Sequence, residues 1–392
     1  MENPTIQLGN NSWATKKDNL LAYNKDEQSR FQAIELDFAR SSLKNVTNRS
    51  GYLSEIAAGN PAIDFLNNPS GALLLEPQST NLIPYSEDFS NNSWTAFDVT
   101  NAPNSITDPS GNLTATRITA LSGINRAFQT IVVESSSASD RFYTGSFYIK
   151  SPNTTSCNIR VGGSTNNTPL TISSEWQKFE AQYTLFASST FIRLGVTLQN
   201  ENDIVDIAFA QVEEQPYATS YIYNNGNSAG ETRTADSSSK IGLNNYINSQ
   251  EGVFYFYGKT LADSNNNRFL SLSDNSGSNF IQIRVGSNNK LQCRVFKNSS
   301  GVGSAIDDST TSTLNDYKCA IVWNSTKFAL FVNGSKIGEQ LIDASLTSNI
   351  LDTLTFNNAV VNGYSKFEGK IKDLRVYSTA LTDQELTDLT TI

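Results

Sequence analysis

The first chemical fact about this chain is an absence: none of its 392 residues is a histidine. That removes the usual general base, the Ser-His-Asp triad and the commonest metal ligand. Carboxylates remain for acid–base work, and glycoside hydrolysis needs two of them across one bond, about 5–9 Å apart. Asp307 and Asp308 are adjacent, so on a strand they point to opposite sides. Glu385 and Asp388 fall on a terminal helix, where acids near the start favour the macrodipole. Glu35-Leu36-Asp37 spaces two acids suitably but lies in the N-terminal segment. The expectation is a protein that is not an enzyme.

Binding chemistry has more candidates. A sugar site needs an exposed aromatic platform flanked by Asn, Asp or Gln. Trp176 precedes an alternating strand and Trp323 sits in an apolar one, so both read as packing residues. Tyr255 and Tyr257 share a strand face opposite Phe254 and Phe256. With Trp94, they are the candidate ligand-binding residues. The cysteines, Cys157, Cys293 and Cys319, are odd in number and widely spaced, with no CxxC pair. Cys293 and Cys319 alternate with apolar neighbours and read as buried thiols; the sequence leaves a disulfide between them open.

Composition bounds the elements that must position such residues. Only 17% of residues are charged, and Tyr (15) and Phe (21) far outnumber Met (1), a balance that favours strands and turns. A net charge of −9 with no basic stripe argues against nucleic acid and anionic lipid as partners. Residues 1–11 lack the charged and apolar regions of a secretory signal, and no apolar run approaches the roughly 20 residues that span a bilayer. Several Asn-x-Ser/Thr triplets, as at Asn45 and Asn324, say nothing about glycosylation without a secretory signal.

The last third reads most clearly. Strands are expected at 253–257, 281–285, 291–295, 319–323, 328–332 and 367–377. A turn is expected at 286–289, and Asn333-Gly334 is a strong hairpin signal. Thr382 to Glu385 forms a capping box that starts one short helix, with Leu386 and Leu389 on its apolar side. A second set of strands falls at 115–118, 142–149, 179–185, 191–198 and 204–212. Within it, Phe191, Arg193 and Gly195 alternate against Ile192, Leu194 and Val196. The first 85 residues show apolar bursts between Gly, Pro and Asn, and are expected to be irregular. The fold class is therefore all-β, with two jelly-roll sandwiches in tandem (86–237 and 238–392) after an extended N-terminal segment (1–85).

Three strings carry resemblances. KFALFVNGSKIGE followed by FEGKIKDLRVYSTALTDQEL resembles the closing half of a concanavalin A/laminin-G-like jelly roll, over about 240–392. SEDFSNNSW and AFAQVEEQPYATSYI resemble the two ends of carbohydrate-binding-module-like jelly rolls. FARSS, Gly-Tyr-Leu, NPAIDF and GALLLEPQSTNLIPYSEDF, in this order, resemble an N-terminal region of bacteriophage and prophage structural proteins. The resemblance implies a virion surface component, assembled in the host bacterial cytoplasm. Its segment 1–85 would dock onto capsid or tail proteins, and its lectin-like domains would meet host-surface glycans. It also implies a homo-oligomer; a trimer would suit a fibre, although no coiled-coil heptads are present. Purely structural decoration and a surface glycan hydrolase are the alternatives. Glucanases of concanavalin-like fold resemble each other in an E-x-D-x-x-E strand, and none occurs between 240 and 392. No cofactor is required, although relatives often hold a structural calcium ion near the position of Glu87 and Asp88. The late strand here reads Ala208-Phe209-Ala210-Gln211, where calcium-binding members carry an Asp.

Overall fold

A computed structural model describes the whole chain except residues 1, 26–30, 125, 134–136, 164, 262–266, 288–289, 343–345 and 362–364. The described residues are almost entirely strand, with one helix, Asp383–Thr390. That helix is neither long nor apolar enough to cross a membrane. The chain divides into two compact units, one of residues 1–42, 56–77 and 235–392, the other of 43–55 and 78–234.

In the first unit, the alternating residues of the last third build the expected strands. Gly252–Thr260 lies between Tyr317–Trp323 and Gly369–Tyr377, and Lys327–Val332 extends the layer. The turn at Asn333 and Gly334 has the positive φ values, 47° and 80°, that this dipeptide tolerates. A second layer runs through Thr353–Thr355, Arg268–Ser273, Phe280–Val285 and Leu291–Lys297. Leu270, Ile283, Cys293, Phe254, Cys319 and Leu374 meet in the core between the layers. The turn expected at 286–289 falls partly on residues 288–289, outside the described residues. Thr382 caps the helix in a complete capping box with Glu385. Leu386 and Leu389 pack against Val253, Tyr255 and Phe331.

The N-terminal residues depart from expectation. They are not an irregular segment: Phe31–Ala39 is a nine-residue strand, and Ile34, Leu36 and Phe38 are buried while Ala33, Glu35 and Asp37 are exposed. It pairs with Asn19–Lys25 and with Ser237–Lys240, and Ile6–Gly9 pairs with Gly369–Tyr377. The strands Ile6–Gly9, Asn19–Lys25 and Phe31–Ala39 thus complete the C-terminal sandwich, because their apolar residues are buried in its core. The chain accordingly does not separate at 85 and 237.

The second unit is a sandwich of two five-stranded sheets. One orders Thr95–Phe97, Ala127–Val133, Phe191–Thr197, Ser156–Gly162 and Asn167–Thr171; the other orders Val99–Ile106, Ala115–Ala120, Ile204–Glu213, Arg141–Lys150 and Gln177–Leu185. Phe128, Ile159, Leu194 and Val196 face Ile118, Phe147 and Ile207 across the core. All five strands expected in this region are present within a few residues.

A buried ion pair ties the first unit together. Arg40 Nη1 donates to Asp236 Oδ1 at 3.1 Å, and neither side chain is exposed. The other guanidinium hydrogens go to the carbonyls of Ser42, Ala57 and Asn60 at 2.8–3.0 Å. Asp236 also accepts from Glu76 N at 2.8 Å. Removing one member of such a pair strands a buried charge, which typically costs about 3–5 kcal/mol. Arg40→Met is therefore expected to lower unfolding stability by about that amount in urea titration. The Arg40→Met, Asp236→Leu double variant should recover part of the loss; an unchanged midpoint in the single variant would contradict this.

Candidate functional site

Two of the strings that carry the resemblances are held to one another by buried polar side chains. Gln211 and Glu213 lie buried on the strand Ile204–Glu213. Gln211 Oε1 accepts from Ile222 N at 2.7 Å and its Nε2 donates to Glu213 Oε2 at 2.7 Å. Glu213 also accepts from Ser79 Oγ (2.5 Å), Thr219 Oγ1 (2.5 Å) and Thr219 N (2.9 Å). Asn81 spends its whole carboxamide on Ala210 O, Ile222 O, Ile83 N and Val212 N, at 2.8–3.2 Å. Ser79 and Asn81 of one string are thus locked to Gln211, Glu213, Thr219 and Ile222 of the other. Burial pushes the Glu213 carboxyl above its usual range, opposed by Lys178 and the hydroxyl and amide donors. The lock leaves no group free to meet a ligand.

The aromatic candidates are also placed otherwise than expected. Trp94 is core: its ring stacks on Phe128 at 5.4 Å and its Nε1 donates to Tyr85 O. Tyr255 is buried beneath the helix, and Tyr257 packs half-buried at the edge of the same cluster. The tyrosine face that looked like surface is the second face of its sheet, covered by Leu386 and Leu389. Trp323 is buried as expected, while Trp176 is half-buried, held by a bond to Thr107 O and by Lys150 over its ring. All three cysteines are free and buried. Burial pushes the Cys157 thiol up to about 12, so it is not a nucleophile at neutral pH.

Asp88 is exposed and accepts from Ser90 N and Oγ. Burial raises the Glu87 carboxyl, which bonds with Tyr221. Asp108, across the same 430 Å³ cleft, is saturated by Ser110 N and Oγ, Asn112 N and Thr114 Oγ1. Among the described residues no three acidic or thiol side chains gather as a metal site would require. Asp307 is exposed and bonded to Gln292, whereas Asp308 is buried and bonded to Thr310 and Thr311. Glu385 is held in its capping box.

The open chemistry lies on the outer face of the first five-stranded sheet of the second unit. Register places Thr95, Gln129, Gly195, Arg160 and Asn167 in one row across five strands. Phe97, Ala127, Thr197, Asn158 and Pro169 form the next row, and Ile131 lies opposite Arg193. Arg160 lies along its row, Nη1 donating to Gln129 Oε1 at 2.8 Å and Nε to Asn167 Oδ1 at 3.0 Å. It can do so because Gly195 leaves the floor bare: a Cβ there would sit 2.5 Å from that of Gln129. Asn158 Nδ2 donates to Thr197 Oγ1 at 3.0 Å, and the Arg193 guanidinium lies 4.7 Å from the Phe191 ring centroid. Phe97 is about two-fifths exposed on the rim. The cleft measures about 450 Å³, within the range of small-ligand sites. The sequence shows Arg193 and Gly195 alternating against an apolar face; it does not show that Arg160 and Asn167 share the row, because that needs the long-range register.

The second layer of the first unit is covered at its centre by chain from the same unit. Ser271 Oγ donates to Asn357 O and accepts from Ala359 N, and Gln282 Nε2 reaches Asn358 Oδ1. Residues 357–359 thus cap that face. A separate, mostly apolar cleft of about 560 Å³ is lined by Ser12, Trp13, Leu21 and Tyr23.

Residues 254–387 match the family described as the Concanavalin A-like lectin/glucanases superfamily, so this part of the chain is lectin-like in fold, as its closing strings imply. No curated protein matches the chain. Among solved structures, it is similar to the carbohydrate-binding module (CBM40) of Ruminococcus gnavus IT-sialidase bound to α2,3-sialyllactose. Identity is 16%, with 36% of this chain and 83% of that one covered, and a TM-score of 0.32. Domain 4 of the extracellular arabinanase AbnA from Geobacillus stearothermophilus is similar at 17% identity, 40% and 73% coverage and a TM-score of 0.31. A SAP-like pentraxin from Limulus polyphemus gives 17%, 36%, 70% and 0.30. At these scores the likenesses carry no argument about ligand or site.

The lock around Glu213 has a measurable consequence. Glu213→Gln offers one acceptor oxygen to donors that now share two, and is expected to lose about 1–3 kcal/mol of stability in chemical denaturation. A variant as stable as the parent would show that the carboxylate is not what holds these strings together.

Proposed function

We propose that this protein is a non-catalytic glycan-binding component of a bacteriophage particle, displaying its lectin-like units toward host-surface polysaccharide. The observation that carries the binding reading is the cleft of Gln129, Arg160, Asn167 and Thr197 beside Phe97, with Asn158 bonded to Thr197. Sugar recognition needs amide and hydroxyl partners for ring hydroxyls and an apolar rim for C–H faces, and the cleft has both. The lectin-like fold of residues 254–387 supports the same reading without locating a site. The virion placement is supported by the four strings in order between Phe38 and Phe89. Since the strands Ile6–Gly9, Asn19–Lys25 and Phe31–Ala39 are built into a sandwich, attachment to the particle would use a folded surface.

One observation favours a purely structural role for the first unit: residues 357–359 cover the sheet face that a lectin-like fold would otherwise present. On that reading the first unit makes protein contacts and the second meets glycan.

A glycan array probed with the full chain tests the binding reading. The expected result is reversible binding to surface polysaccharide with no release of reducing ends. No binding at millimolar ligand would overturn it. Immunogold imaging with antibody to this chain should decorate particles, and unlabelled particles would remove the virion placement.

A further inference from the structure

We infer that the cleft of the second unit selects an acidic sugar, with its carboxylate between the guanidinium groups of Arg160 and Arg193. This rests on the glycan-binding reading and names the ligand class for that site.

The argument begins with charge. Arg126, Arg160 and Arg193 line one cleft, and no carboxylate is among the residues that line it. In a chain of net charge −9, a cationic cleft without an acidic partner is the exception that needs a reason. Arg126 is committed to the carbonyls of Leu121 and Gln199. Arg160 spends one Nε and one Nη1 hydrogen on neutral amides, which fix its plane without neutralising it. Neither its Nη2 edge nor the Arg193 guanidinium makes a hydrogen bond among the described residues, and Arg193 lies against the Phe191 ring. Burial and the neighbouring Arg193 both act against the Arg160 charge. Two like charges held on one face at a cost are relieved by an anion between them.

The shape selects which anion. A planar fork of donors fixed by side-chain amides suits a planar carboxylate, in the bidentate manner of Arg–carboxylate pairs. Gly195 keeps the floor flat, and Asn158, Thr197 and Asn167 are placed beside it for ring hydroxyls. The exposed faces of Phe97 and Ile131 can cover the apolar side of a pyranose. A nucleic-acid strand would need a longer basic track than this single cleft supplies.

The test is calorimetric titration of the full chain with oligogalacturonate and with sialyllactose, each beside its carboxyl-reduced counterpart. A single-stranded oligonucleotide serves as the anion control. The expected result is binding of an acidic sugar, loss on carboxyl reduction, and weakening at high salt. Arg160→Gln and Arg193→Gln should each weaken it about 10- to 100-fold, the range of one charge-assisted hydrogen bond. Arg294→Gln, which removes an equal charge from the first unit, should leave it unchanged. Equal binding of acidic and reduced sugars would overturn the acid selection and leave the glycan reading standing. Binding of neither, with no array signal, would overturn both. Undiminished binding in the Arg160→Gln, Arg193→Gln double variant, or equal affinity for the oligonucleotide, would also overturn it.

Discussion

The structure depends on one buried ion pair. Each unit is assembled from separated pieces of chain, so the first unit must hold four chain ends where the backbone leaves or returns, near residues 42, 56, 77 and 235. Arg40 and Asp236, 196 residues apart, reach all four: Ser42, Ala57, Asn60 and, through Asp236, Glu76. An apolar contact could fill this space but could not satisfy carbonyls and an amide arriving from several directions. A guanidinium paired with a carboxylate satisfies them all at once, and that explains why a charge is tolerated at zero exposure.

The same logic separates scaffold from site. The recognisable strings are occupied in buried networks: Arg40 at the crossings, Ser79 and Asn81 against Gln211 and Glu213, Phe89 and Trp94 in the aromatic core. Motifs of this kind report which scaffold a chain folds into. What it could bind is decided by side chains on the outer faces of strands, such as Arg160, Gln129 and Asn167, which belong to none of those strings.

Much of the fold was legible from alternation. The strands of the last third, the Asn333-Gly334 turn and the capping box at Thr382 are local features, and the chain forms them where local chemistry says it should. Ile34, Leu36 and Phe38 carried an equally plain period of two, obscured by the Gly-, Pro- and Asn-rich stretches that follow. Pairings such as Ile6 with Val376 are not local, and so neither the completed sandwich nor the interleaved units could be read from spacing. The site fared worse for the same reason. Tyr255 has the pattern of a surface residue but lies under a helix that begins 128 residues later, and Arg160 meets Gln129 only across a glycine on a third strand.

The account therefore turns on whether the outer face around Arg160 is where ligand lands. Arginine side-chain Nε–Hε resonances, followed by NMR as oligogalacturonate or sialyllactose is added to the full chain, report this directly. The account predicts that the Arg160 and Arg193 signals move with the ligand while those of Arg40 and Arg294 stay. Saturable binding of an acidic sugar with the Arg160 and Arg193 signals unmoved would contradict it.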